Sequence, residues 1–277
     1  MHLRRRLKLQ LLTTALLLGA AGTASAYHSE EERITDDTAY TLGAKRLRLG
    51  LLKFQYGVWD PLTAGSYTAP WVVRMANLHL KWRYYFEDPW SLALQVGAYR
   101  LDVSKLEVFE DVPGDAIISV GTFEPSVSYR FNSRFTLSAS VPYTEVRANG
   151  TVNIDAFEGA LTGAVDNLQF ATTFEWRLTR VTALVLHARY LIFQRVFGDG
   201  SITLHPDEFT TVRIDADAES EALDFNGAWS VVPAVAFSWK SFNLRAGVGY
   251  GNWSISPINF VLPRKTLVPE FDLFWVF

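Results

Sequence analysis

From Val72 the chain alternates with a period of two. Val72, Ala76, Leu78, Leu80, Trp82, Tyr84 and Phe86 occupy even positions, while Asn77, His79, Lys81 and Arg83 fill odd ones. Successive side chains of a strand point to opposite faces, so this run makes one apolar and one polar face. The alternation returns over residues 90–98, 121–131, 135–143, 168–178, 184–192, 225–239, 242–250 and 267–277, and a less regular stretch carries Leu52, Phe54, Tyr56 and Val58 on one face. Ten strands follow. Four connections are tight, at Glu87-Asp88-Pro89, Asn132-Ser133-Arg134, Thr179-Arg180 and Lys240-Ser241, and five are long, near 60–70, 102–116, 148–163, 197–224 and 254–266. Long and short alternate along the chain. Pro125, Pro233 and Pro269 fall inside strands, where a missing ladder donor predicts bulges.

Alternation this extensive fits either a soluble barrel or sandwich or a membrane barrel. Strand segments of ten or more residues, aromatics at strand ends and the terminal Phe277 tilt the balance to the membrane, and the N-terminus reads as an export signal. Arg4, Arg5, Arg6 and Lys8 precede an apolar run from Leu9 to Ala21 that closes on Ala24-Ser25-Ala26, the pattern of a secretory signal peptide cleaved after Ala26. Removing 1–26 takes away 4 of 26 bases and none of the 29 acids, so the remainder carries 22 − 29 = −7. An acidic exported chain is a poor nucleic-acid binder. No later segment offers 18 consecutive apolar residues, so a closed barrel is the remaining way to cross a bilayer. Absence of cysteine excludes a disulfide scaffold and thiolate metal sites. Aromatics gather at strand ends, as at Trp82, Tyr84 and Phe86 or Phe237 and Trp239, where interfacial girdles sit.

The last strand carries Phe271, Leu273, Trp275 and the terminal Phe277 at spacing two. It resembles the assembly signal of Gram-negative outer-membrane β-barrel proteins, which the barrel-assembly machinery reads. With the signal peptide and the loop asymmetry, the resemblance covers nearly the whole of 27–277. It implies an all-β, up-and-down antiparallel transmembrane barrel with short periplasmic turns and long extracellular loops, embedded in outer-membrane lipid and lipopolysaccharide. Residues 27–41 read as a short periplasmic lead. An alternative count of twelve strands brings about 201–205 and 209–215 into the wall, but their faces are too polar for lipid.

Opposite the apolar faces, Lys81, Arg189, Glu124, Glu270, Asp272, His79 and His187 are expected to form a charged layer across the interior. A barrel of ten strands has room for a narrow path at most. Two functions therefore stay open, a structural barrel with a salt-bridged interior and a narrow passive channel for small solutes or ions. The rival class is an outer-membrane enzyme, protease-like or lipase-like, with a site at the extracellular rim. His205, Asp207 and Glu208 invite that reading, yet they form one local turn and not a site assembled from different strands. Asp215, Asp217, Glu219 and Glu221 are a weak metal candidate, better read as a solvated acidic face. No cofactor is expected.

Overall fold

A computed structural model describes residues 34–103, 114–154, 157–207, 210–220, 227–255 and 259–277. The expected signal peptide, 1–26, lies outside them. Fourteen strands and one short helix follow in chain order: β1 Leu47–Gly50, β2 Lys53–Trp59, β3 Leu62–Tyr67, α1 Thr68–Val72, β4 Ala76–Glu87, β5 Trp90–Asp102, β6 Gly114–Arg130, β7 Phe135–Ser140, β8 Tyr143–Ile154, β9 Phe157–Arg177, β10 Thr182–Asp207, β11 Thr210–Ser220, β12 Trp229–Trp239, β13 Phe242–Ile255 and β14 Phe260–Val276. All pairings are antiparallel. β7 and β8 are two halves of one wall strand, since both lie between β6 and β9. Among the described residues β11 pairs with β10 alone, and β14 pairs with β1. The wall therefore closes on itself with twelve strands, each paired on both sides for at least part of its length.

Twelve corrects the count of ten, and by a different route from the one weighed above. The two additions are β1 and β3, while the 201–215 region stays out of the wall as an extension of β10 paired with β11. β3 occupies what reads as a long loop at 60–70. Its sequence, LTAGSY, has no apolar alternation because little side chain fits there. A Cβ on Gly65 would stand 2.4 Å from the His79 ring. The strict alternation of long and short connections also fails at the start, where the β1–β2 turn at Leu51-Leu52 and the β2–β3 turn at Asp60-Pro61 are both tight.

Facing follows the period-two pattern. On β4, Asn77, His79 and Lys81 are buried while Leu78, Leu80 and Trp82 are exposed. On β12, Ser230, Val232, Ala234, Ala236 and Ser238 turn inward and Trp229, Val231, Phe237 and Trp239 outward. A protein with its large apolar side chains outside and its serines, asparagines and ion pairs inside is inverted relative to a water-soluble domain, and hydrocarbon is the solvent that stabilises it. At the end of the barrel where Leu47 meets Phe277, rings pair along the rim. Trp90, Tyr129 and Phe131 form edge contacts, Phe135 stacks on Phe174 and Trp176, and Phe242 meets Trp275.

The prolines do not produce the expected bulges. Pro125 and Pro233 sit where one neighbouring ladder skips two residues and resumes in the same register. Pro269 lies past the last residue of β14 that pairs with β1, so one side of its strand has no ladder to break. Register shifts fall elsewhere, between Gly57 and Trp59, Arg83 and Tyr85, Leu191 and Phe193, and Asn252 and Ser254 in the wall, and between Leu204 and Asp207 where β10 pairs with β11. The shortness of β1 has a further result. Among the described residues, the β1 side of β14 faces no strand over 260–272, which leaves a notch in the wall beside Leu52 and α1.

Candidate functional site: a strap across the barrel interior

Residues 34–42 run inside the barrel. Ile34, Asp36, Thr38, Ala39, Tyr40 and Leu42 are all buried, so the described part of the 27–41 segment, expected as a periplasmic lead, lies within the wall instead of beside it. Local chemistry shapes this strap. Thr38 Oγ1 donates to the Ile34 carbonyl at 2.5 Å and accepts from the Tyr40 amide at 3.2 Å. Asp37 takes the left-handed conformation at φ 53°, which aspartate tolerates better than most residues. The result is a compact turn with Asp36 and Asp37 at its bend.

Wall side chains answer the strap's backbone. The Ala39 amide donates to Ser128 Oγ at 2.8 Å, Ser91 Oγ donates to the Ala39 carbonyl at 3.1 Å, and the Leu42 amide donates to Thr63 Oγ1 at 2.8 Å. Lys81 Nζ donates to the Thr35 carbonyl at 2.6 Å. Ile34 and Leu42 pack with Val185, Ala234, Ala236, Phe274 and Val276 in an apolar floor. Gly57 is required by this path, since a Cβ there would come within 1.9 Å of the Gly43 carbonyl oxygen.

The charges form two groups joined by the strap. Arg48 is 1 % exposed, donates through Nη1 to both carboxylate oxygens of Asp36 at 2.7 Å, reaches Asp272 through Nη2 and lies 3.8 Å over the Phe274 ring. Lys53 pairs with Asp36 as well. On the other side, Arg189 and Arg245 approach Asp37 at 3.7 and 3.9 Å, and Arg245 pairs with Glu270 at 2.5 Å. Arg189 Nε donates to His187 Nε2 at 2.7 Å. An imidazole accepting there carries its proton on Nδ1, which is then the donor to Thr173 at 2.9 Å.

Of the residues expected in a charged layer, Arg189, Glu270, Asp272 and His187 surround the strap's acid pair, and Lys81 binds the strap backbone. Glu124 lines a second, smaller cavity with Lys81. His79, 1 % exposed, sits apart against Tyr67 and Gln55 on β3 and β2, its Nε2 3.4 Å from Gln55 Nε2. Period-two reading missed Asp36, Asp37 and Arg48. The strap has no periodicity, and Arg48 belongs to a strand only four residues long. The one signal available was the Asp36-Asp37 doublet flanked by apolar and hydroxyl residues.

Cavities lie on both sides of the strap. One of about 210 Å³ is lined by Asp37, His187, Arg189, Arg245 and Glu270 and reaches Leu52, Ala69, Val268 and Pro269 at the notch. The other, about 40 Å³, is lined by Lys81, Tyr99, Thr122 and Glu124. Asp36, Asp37, Lys53, Tyr67 and Arg189 border both, so they form the partition. His205 and Asp207 belong to the far part of β10, and Glu208 lies outside the described residues. Asp215, Asp217 and Glu219 belong to β11, and Glu221 lies outside the described residues. Phe277 exchanges both backbone hydrogen bonds with Leu47, at 2.9 and 3.1 Å.

No family model and no curated protein matches this chain. Solved structures align over most of it. A TodX mutant described as a monoaromatic hydrocarbon channel aligns over 92% of this chain and 73% of its own, at 13% identity and a TM-score of 0.47. The Pseudomonas putida toluene transporter TodX covers the same shares at 13% identity and 0.42, and the Ralstonia pickettii toluene transporter TbuX aligns over 85% and 89% at 8% identity and 0.31. The fold described above rests on the strand ladders themselves.

Proposed function

We propose that this chain is a bacterial outer-membrane β-barrel acting as a narrow passive channel for small solutes or ions, held closed in this state by residues 34–42. The observation that carries the reading is the partition. Cavities of about 210 and 40 Å³, both carrying charged side chains, meet at Asp36, Asp37, Lys53, Tyr67 and Arg189, and two of those five residues belong to the strap. Charged interiors suit polar solutes, and a segment held by hydrogen bonds, ion pairs and the packing of Ile34 and Leu42 can leave without unfolding the wall. Export with removal of 1–26, insertion by the barrel-assembly machinery through the Phe271, Leu273, Trp275 and Phe277 face, and a surround of lipid and lipopolysaccharide complete the proposal.

A structural barrel is the competing reading, because the same ion pairs would also satisfy buried charge. Proteoliposome swelling separates the two. Vesicles carrying the refolded Asp36→Asn/Asp37→Asn variant should swell in glycerol faster than those carrying the wild type, and both should stay unchanged in raffinose, which is too large for the path. Absence of swelling in any solute, for the wild type and for an Asp36→Asn/Asp37→Asn variant alike, would leave the structural barrel.

A further inference from the structure

The strap places two adjacent carboxylates in two separate cationic settings. Asp36 is clasped by Arg48 and Lys53 on β1 and β2, and Asp37 faces Arg189 on β10 and Arg245 on β13. Among the described residues that line the two cavities or bind these carboxylates, the wall supplies five cations, Arg48, Lys53, Lys81, Arg189 and Arg245, against three acids, Glu124, Glu270 and Asp272. The strap's two acids bring the balance to five against five. Without them the interior carries two uncompensated positive charges in a confined, weakly screened space, where a mobile anion is strongly favoured. Asp37 is the looser of the pair. Its contacts are long, at 3.7 and 3.9 Å, and its side chain keeps 30 % exposure toward the larger cavity, against 2 % for Asp36.

Building on the channel reading, we infer that the strap occupies the solute's own site, so that the solute is a small linear dicarboxylate which binds the Arg48–Lys53 and Arg189–Arg245 positions and displaces Asp36 and Asp37. Adjacent aspartates hold their carboxyl groups apart by about six intervening atoms, a span that an aliphatic diacid of similar length reproduces. One carboxylate alone would leave the second cationic position empty, and a cation would meet the wall's excess positive charge. Competition follows from this arrangement. While the strap is docked, the binding-competent fraction is small, and the apparent affinity for the solute is lowered by that fraction.

Titration calorimetry with suberate, whose six methylenes match that span, on the refolded chain in detergent tests the inference. The Asp36→Asn/Asp37→Asn variant should bind suberate at least about tenfold more tightly than the wild type, because the internal competitor is neutral. Equal affinity, weaker binding by the variant, or binding of 1,6-diaminohexane as strong as that of suberate would overturn the assignment. If the double variant does not yield a heat-modifiable barrel on a gel, Asp37→Asn alone reads the same competition with a gain of about threefold, and no gain there overturns it too. Current across a planar bilayer, taken from the same preparation, tells the two ideas apart. Suberate binding without conductance in any variant ends the channel reading and leaves the site, whereas conductance with no suberate binding ends the site and leaves the channel.

Discussion

At the scale of the residue, Arg48 links strap and wall. It is buried between Asp36 and Asp272, so Arg48→Ala strands two carboxylates in a space with few alternative partners, and removing one side of a buried pair costs about 3 to 5 kcal/mol. The expected outcome is a clear drop in the urea midpoint followed by gel mobility, with Arg48→Lys recovering part of it. An unchanged midpoint for Arg48→Ala would show that water reaches both acids. Asp36 adds a pH dependence with a definite sign. Burial pushes its carboxyl up, but the charges of Arg48 and Lys53 outweigh burial and hold it well below the usual carboxylate range. A lowered folded-state value means that its contribution is complete above about pH 4 and is lost as pH falls from there toward that value. Strap release on acidification should therefore raise bilayer current as pH falls below about 4, and Asp36→Asn should abolish the rise. A wild-type current that stays level, or a variant that responds equally, would assign the pH effect to another group.

At the scale of the element, what the sequence makes legible depends on what each element faces. β4, β12 and β14 separate hydrocarbon from a polar interior, and that contrast writes a period of two into their residues. Their faces follow the pattern, with His79 and Lys81 inside and Trp82 outside. β1 and β3 are too short, and β3 too crowded by the His79 ring, to carry the same signal. The strap lies between wall side chains and two cavities, so nothing in its environment repeats. The prolines show the same limit, because the cost of a missing donor depends on a neighbour strand that the local sequence does not reveal. β10 shows the reverse case. It runs for 26 residues, far beyond the roughly 9 to 11 that a tilted crossing needs, and continues as a three-stranded arm with β9 and β11. An epitope inserted between Asp207 and Thr210 should be accessible to antibody on intact cells, while one at Asn132 should need permeabilised cells. The opposite pattern would invert the orientation. Gly200 is a poorer insertion point, because it pairs with Leu161 on one side and Ala216 on the other.

At the scale of the whole molecule, barrel closure and interior closure are achieved by different parts of the chain. The wall closes where Phe277 and Leu47 exchange hydrogen bonds and Arg48 to Gly50 pair with Phe274 to Val276, a short seam for a ring of twelve strands. Deleting Phe277 should therefore slow assembly in cells and lower the amount of heat-modifiable barrel, and unchanged outer-membrane levels would remove the assembly role from that residue. The interior is closed by the strap, and this is the central claim. Because the chain has no cysteine, Ala39→Cys with Ser128→Cys introduces a single cross-link site, at the contact where the Ala39 amide donates to Ser128 Oγ at 2.8 Å. The decisive measurement is single-channel conductance of this double variant before and after reduction. With the disulfide formed, the strap is tethered and the current should remain at baseline; after dithiothreitol, openings should appear with at least about tenfold greater probability. Identical traces in the two redox states, whether silent or conducting, would contradict a strap that gates the barrel.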